Sequence, residues 1–310
     1  MLKKIIVARH HGFCMGVERA IKIAEDTAAK RGGESNVTIL NEIVHNEAVV
    51  GKFRREGVGQ ALSVRDVDEG ILIISAHGVS PEVVRSAQGK GLEVIDATCP
   101  LVTRIYRIIK KAIARGLYIV HYGDPHHDET AGIVGHAPDR ITVAASHEEL
   151  LALPDWRDRR LGLTVQTTAH AAEFAEIEKL ARRKWPHIEV FNTICNATTR
   201  RQGAIMELAP QVDMVLVVGS QTSANSKRLA VISNDACGRG ELIGSADDIR
   251  EEWFTNDSEI ENVGVSAGAS TPQFLVDDVI DRLVEIGGGK VEVIRLLPEK
   301  RKKKLNSAAG

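Results

Sequence analysis

The chain has 310 residues, enough to bury a large core and to divide into two or three domains. Its 43% hydrophobic and 26% charged residues are those of a globular protein, and a formal net charge of -2 offers no global attraction for nucleic acid. Apolar runs such as Met214-Val215-Leu216-Val217-Val218 are too short to span a bilayer, so no membrane partner is expected.

Strand-like and helix-like segments alternate along the chain. Residues 3–8 are strand-like. Val17, Ala20, Ile21, Ala24 and Ala28 follow helical spacing, up to Gly32-Gly33. A short apolar strand at 37–40 precedes a helix over 46–56 that Gly57 ends. Residues 71–75 read as a strand and 81–90 as a helix with proline in its first turn. A strand at 92–95 precedes Pro100 and the helical stripe Leu101, Ile105, Ile108, Ile109 and Ala112. Strands are expected at 117–120, 141–144, 161–165, 188–191, 214–218 and 262–265. Helices are expected over 170–184, 200–208, 225–236 and 272–286. The strands are continuously apolar rather than alternating, which indicates parallel sheets covered on both faces. The fold class is therefore α/β.

Three of the four cysteines occupy equivalent places. Cys14, Cys99 and Cys195 each follow a strand-like run and open a helical segment, at intervals of 85 and 96 residues. Three small α/β domains of similar design are expected, 1–98, 99–194 and 195–310, each giving one cysteine to a shared centre. Residues 290–297 have no obvious partner in the third domain and are expected to cross back to the first. Ligands collect at the carboxyl ends of strands in open α/β sheets. Three thiolates there, without a fourth, suggest an iron–sulfur cluster with one iron left open. Scattered thiols and the lack of a signal peptide point to a reducing cytoplasm. Cys237, at a helix end, reads as a structural or incidental thiol. The basic tail Lys300-Arg301-Lys302-Lys303-Lys304 reads as a solvated terminus.

Several strands end in polar clusters: Val44-His45-Asn46, Ser75-Ala76-His77-Gly78, Gln166-Thr167-Thr168, the segment 220–225, and Gly268-Ala269-Ser270. Singly, each could be a helix cap. Together they offer hydroxyls, amides and imidazoles at helix N-termini, which suits a phosphorylated ligand. The cluster His126-His127-Asp128-Glu129 is open to three readings: a solvated loop, a mononuclear metal site, or a proton donor. Two motifs mislead. Gly264-Val265-Ser266-Ala267-Gly268 fits a nucleophile elbow, but no histidine follows His187 to complete a triad. Gly57-Val58-Gly59 lacks the third glycine of a dinucleotide site.

The chain resembles the 4-hydroxy-3-methylbut-2-enyl diphosphate reductase family. The resemblance rests on Gly12-Phe13-Cys14-Met15-Gly16-Val17, Ile43-Val44-His45-Asn46, Ser75-Ala76-His77-Gly78-Val79-Ser80 and Asp96-Ala97-Thr98-Cys99-Pro100. It continues through His127-Asp128-Glu129, Gln166-Thr167-Thr168, Ile194-Cys195-Asn196-Ala197-Thr198-Thr199-Arg200-Arg201-Gln202, the segment 220–229 and Ala267-Gly268-Ala269-Ser270, in family order. It implies three α/β domains around a [4Fe–4S] cluster on Cys14, Cys99 and Cys195 with one open iron. It implies that His45, His77, His127, Ser223, Asn225 and Ser270 hold the substrate diphosphate, with Ala224 where many members carry a second serine. Glu129 and Thr167 are implied in proton delivery, and Thr198 beside the cluster. The family's His and Glu positions fall on His127 and Glu129 in one register and on Asp124 and His126 in a competing one. The downstream Gly132 and Gly135 favour His127 and Glu129.

The implied reaction is a two-electron reductive dehydration of the allylic diphosphate to isopentenyl and dimethylallyl diphosphate, the last step of the methylerythritol phosphate route. No flavin or nicotinamide motif is visible, so the electron donor is external, ferredoxin or flavodoxin by family analogy. Two rivals are a non-catalytic iron–sulfur sensor and a cluster-dependent hydro-lyase. The sensor would not need the histidines or Glu129.

Overall fold

A computed structural model describes residues 2–30, 36–254 and 259–297. The chain begins with β1 (Lys4–Val7) and α1 (Met15–Lys30), whose buried face is Val17, Ala20, Ile21 and Ala24. It then lays down β2 (Val37–Leu40), α2 (Glu47–Arg55), β3 (Gly59–Ala61), β4 (Ile71–Ile74), α3 (Pro81–Gly89) and β5 (Glu93–Asp96). The Asn46 side chain caps α2 by accepting from the Ala48 and Val49 N–H groups, and Gly57 turns the chain at a φ of 79°. The four strands form one sheet in the order β3-β2-β4-β5, parallel throughout.

The second unit repeats the plan. It comprises α4 (Pro100–Ala114), β6 (Tyr118–Tyr122), α5 (Asp128–Val134), β7 (Ile141–Ala144), α6 (His147–Ala152), β8 (Leu161–Val165), α7 (Ala171–Lys184) and β9 (Glu189–Val190). Its parallel sheet runs β7-β6-β8-β9, the same spatial order as the first. The third comprises α8 (Asn196–Leu208), β10 (Met214–Val218), α9 (Ala224–Cys237), β11 (Gly240–Ile243), β12 (Asn262–Ala267), α10 (Gln273–Ile286) and β13 (Glu292–Arg295). Its sheet runs β11-β10-β12-β1-β13.

The N-terminal strand therefore lies apart from the domain expected over 1–98. β1 pairs in parallel with β12, Ile5 beside Val263, and on its other side with β13. It fills the slot that β5 and β9 fill in the other two sheets. The physical reason is its burial: Ile5, Ile6 and Val7 need cover on both faces, and the cores around α10 and α8 supply it. Residues 290–297 cross back to β1, as β13, but they meet it in the third sheet. Each cysteine thus follows the fourth-slot strand of one sheet and leads into the helix that starts the next unit. Gly32-Gly33 and the basic tail 300–304 lie outside the described residues.

Some elements were not expected. β3, β11 and α6 are short, and α5 begins inside the cluster His126-His127-Asp128-Glu129. Gly240 in β11 and Gly59 in β3 carry no side chain to show a strand pattern. α5 is seven residues of mixed polarity, too short to show a period.

Candidate active site

The three hand-over points converge. Cys14 immediately precedes α1, and Cys99 and Cys195 are the N-cap residues of α4 and α8. Their backbones are tied across units: Cys14 N–H donates to the Ala269 carbonyl, Cys99 N–H to that of Ala76 and Cys195 N–H to that of Thr167. All three side chains are half-buried free thiols lining one cavity of about 680 Å³. The helix starts turn N–H groups toward sulfur. Thr198 N–H donates to Cys195 Sγ at 3.2 Å, the Thr198 hydroxyl lies 3.1 Å from it, and Leu101 and Val102 N–H groups serve Cys99. Burial pushes the Cys99 and Cys195 thiols up, and the neighbouring cysteines add to the shift.

Gly16 shows how close the sulfurs lie. A Cβ there would sit 2.5 Å from Cys99 Sγ and 3.9 Å from Cys14 Sγ. Arg201 is buried and donates to the Gly12 and Ala197 carbonyls, so one guanidinium bridges the Cys14 loop and the start of α8. The thiol-lined pocket, its N–H donors and a buried cation suit a sulfur-rich anionic group. The donor set fits an iron–sulfur cluster. Cys237 is elsewhere, its thiol donating to the Ser233 and Arg239 carbonyls at the end of α9.

The same cavity gathers three imidazoles. His45 and His77 stack with ring centroids 4.1 Å apart, and His127 meets them edge-on at 5.3 and 5.5 Å. Glu42 accepts from His45 Nδ1 at 2.8 Å, which leaves Nε2 for a ligand. His127 Nδ1 accepts the Glu129 N–H at 3.1 Å, so the neutral ring carries its proton on Nε2. Burial lowers His77 well below the usual histidine range, with the other two imidazoles adding repulsion, and burial takes His127 down to about 4. The His77 Nε2 and Asn225 Nδ2 are buried with no protein partner. Unpaired donors around one space are what an oxyanion would satisfy.

Ser223 caps α9, accepting from Ser226 N–H, and Ala224 and Asn225 open that helix into the cavity. Ser270 also lines it and donates its hydroxyl to the His45 carbonyl at 2.8 Å, joining the third unit to the first. Glu129 is 3% exposed in the first turn of α5. Its two oxygens accept from Thr167, one from the N–H at 2.7 Å and one from the hydroxyl at 2.5 Å. Burial raises the Glu129 carboxyl, and those two hydrogen bonds oppose the rise.

Every residue expected at the site therefore borders this cavity: Cys14, Cys99, Cys195, His45, His77, His127, Glu129, Thr167, Thr198, Ser223, Ala224, Asn225 and Ser270. Asp124 and His126, from the competing register, do not. Both are exposed, and Asp124 accepts the His126 N–H in a local turn. Sequence reasoning alone assigns no role to Glu42, Gly16 or Arg201. Glu42 stands three residues before His45, a spacing that could have pointed to a partner.

Fold and cavity define an α/β enzyme built from three like units around a shared centre of thiols, imidazoles and one buried acid. The chain belongs to the LytB protein family, whose model matches residues 5–284. Among curated relatives, the 4-hydroxy-3-methylbut-2-enyl diphosphate reductase of Tolumonas auensis is 38% identical over 298 residues, covering 93% of this chain and 94% of its own. That of Klebsiella pneumoniae is 39% identical over 293 residues, covering 93% and 91%. The solved reductase of Plasmodium falciparum is 28% identical, with a TM-score of 0.90 over 98% of this chain and 95% of its own. A second solved structure is described as (E)-4-hydroxy-3-methyl-but-2-enyl diphosphate reductase, the terminal enzyme of the non-mevalonate pathway. It is 33% identical, with a TM-score of 0.65, covering 92% of this chain and all of its own.

Proposed function

We propose that the cavity is where this oxidoreductase removes the hydroxyl of 4-hydroxy-3-methylbut-2-enyl diphosphate. The protein is a 4-hydroxy-3-methylbut-2-enyl diphosphate reductase, acting at the end of the non-mevalonate route to isoprenoids. The observation that carries the site reading is the convergence of three cysteines, three histidines and the Glu129–Thr167 pair on one space of about 680 Å³.

In this reading Cys14, Cys99 and Cys195 hold a [4Fe–4S] cluster. When bound, the cluster supplies electrons singly and an iron that no cysteine ligates. The diphosphate lies against His45, His77 and His127, the Asn225 amide, Ser223, Ser270 and the N-terminus of α9. Ala224 offers backbone there but no hydroxyl. Two electrons and two protons turn the allylic alcohol into an alkene and water. Glu129, directly or through the Thr167 hydroxyl, delivers a proton to the departing oxygen. Protonation at either end of the allyl system then gives isopentenyl or dimethylallyl diphosphate. Thr198 steadies Cys195. The electrons come from an external ferredoxin or flavodoxin, and the free cysteines suit a reducing cytoplasm. No helix among the described residues is long and apolar enough to cross a membrane. The functional units follow the division at the cysteine segments, 1–98, 99–194 and 195–310, with β1 contributing to the third.

Anaerobic turnover with a reduced dye and the allylic diphosphate tests the reading. Dye oxidation matched to the two alkene products is expected. A product formed without dye oxidation would point to a hydro-lyase instead.

A further inference from the structure

A second cavity, of about 410 Å³, lies at the other end of the second sheet. Leu161, on its wall, opens β8, whereas Thr167 at the active site follows that strand. The two cavities share no residue. Trp156 and Trp185 line it, their rings 14° from parallel with centroids 5.9 Å apart, and Ile188 adds apolar wall.

The rim is cationic. The Arg159 guanidinium stands 5.5 Å from the Trp156 ring centroid, and Lys184 Nζ is 5.3 Å from that of Trp185. Arg183 borders the same opening. Among the described residues, no carboxylate lies within ion-pair distance of these three cations. The nearby Asp155 is engaged by Arg157 at 2.6 Å. Lys184 Nζ donates to the Leu151 carbonyl and Arg183 lies within electrostatic reach of Glu176, so the rim charge is offset only in part and an anion would lower the remaining repulsion. The Trp185 indole N–H supplies a separate observation. The residue is 4% exposed and Nε1 has no hydrogen-bond partner. A buried donor left unmade costs stability unless a ligand accepts from it.

We propose that this cavity binds an organic di- or triphosphate with an apolar or flat body. The phosphates meet Arg159, Arg183 and Lys184, the body covers the tryptophans, and a small shift of the indole lets an acceptor on the ligand take the Trp185 N–H. A prenyl diphosphate and a nucleoside triphosphate share this chemistry.

The test uses the intact holoprotein and its own fluorescence, since two of the three tryptophans in the chain line the cavity. Geranyl diphosphate, adenosine triphosphate and inorganic diphosphate are titrated separately. A saturable change is expected from at least one organic phosphate below about 1 mM, with inorganic diphosphate much weaker. The ligand that binds identifies the source. The double variant Arg159→Ala/Arg183→Ala should weaken that binding about tenfold or more, because charge-assisted hydrogen bonds to phosphate are lost. Its basal reductase turnover should stay at the wild-type level, which also shows that it folds. The proposal is overturned by no saturable change from either organic phosphate, by inorganic diphosphate binding equally well, or by unchanged affinity in the double variant.

Discussion

The proposed proton donor, Glu129, is the residue on which the chemistry turns. Glu129 is buried, bonded twice to Thr167, and raised by desolvation, so it keeps its proton to higher pH than an exposed glutamate. Glu129→Gln should lower turnover about 10²–10⁴-fold, the usual contribution of a positioned general acid. Iron content and substrate affinity should stay near normal in that variant, and His126→Gln should be mild, since His126 is exposed and outside the cavity. Near wild-type turnover in Glu129→Gln would move the donor elsewhere. The imidazoles make a second prediction. His77 and His127 have lowered pKa values, so both are neutral at pH 7 in the free protein. A bound diphosphate favours the charged ring, so binding takes up protons and affinity rises as pH falls toward the free-ring value of His127, about 4. Calorimetry in two buffers of different protonation enthalpy should show net uptake; proton release on binding would contradict it. The sequence shows these residues as polar types after strands. Their mutual distances come only from the fold, which is why Glu42 and Arg201 carry no signal of their roles in the sequence.

At the level of elements, the helix starts set the thiol geometry. α1 begins with Met15-Gly16, and Gly16 lets that turn approach Cys99 more closely than any residue with a Cβ could. Gly16→Ala should therefore push Cys99 Sγ aside and lower the iron retained by anaerobically purified protein, whereas Cys237→Ser should retain wild-type iron. Full iron in Gly16→Ala would mean that the loop yields at no cost to the site. Most long elements are legible in the sequence because their signals are local. Met214–Val218 and Leu161–Val165 are unbroken apolar runs, and α4 carries both proline at its start and a helical stripe. β3 and β11 are not legible, since each is a short edge strand whose pairing with β2 or β10 defines it more than its own composition. α5 is legible only through its site residues.

For the whole molecule, the decisive feature is a plan used three times. Two sheets share one strand order, and in the third β1 takes the fourth slot, between β12 and β13. Three cysteines therefore sit at three equivalent hand-overs and face one another. Even spacing along the chain suggests the repeat, but only strand pairing shows that β1 serves the third unit, because register over such distances has no local signature. The central claim is that this arrangement holds a cluster with one iron unlike the rest. Mössbauer spectroscopy of isotopically enriched, anaerobically isolated protein measures that directly. The account predicts about four irons per chain. Three should form a thiolate-bound set, and the remaining one should change its signal when the allylic diphosphate is added. Four equivalent irons that ignore the substrate would contradict it.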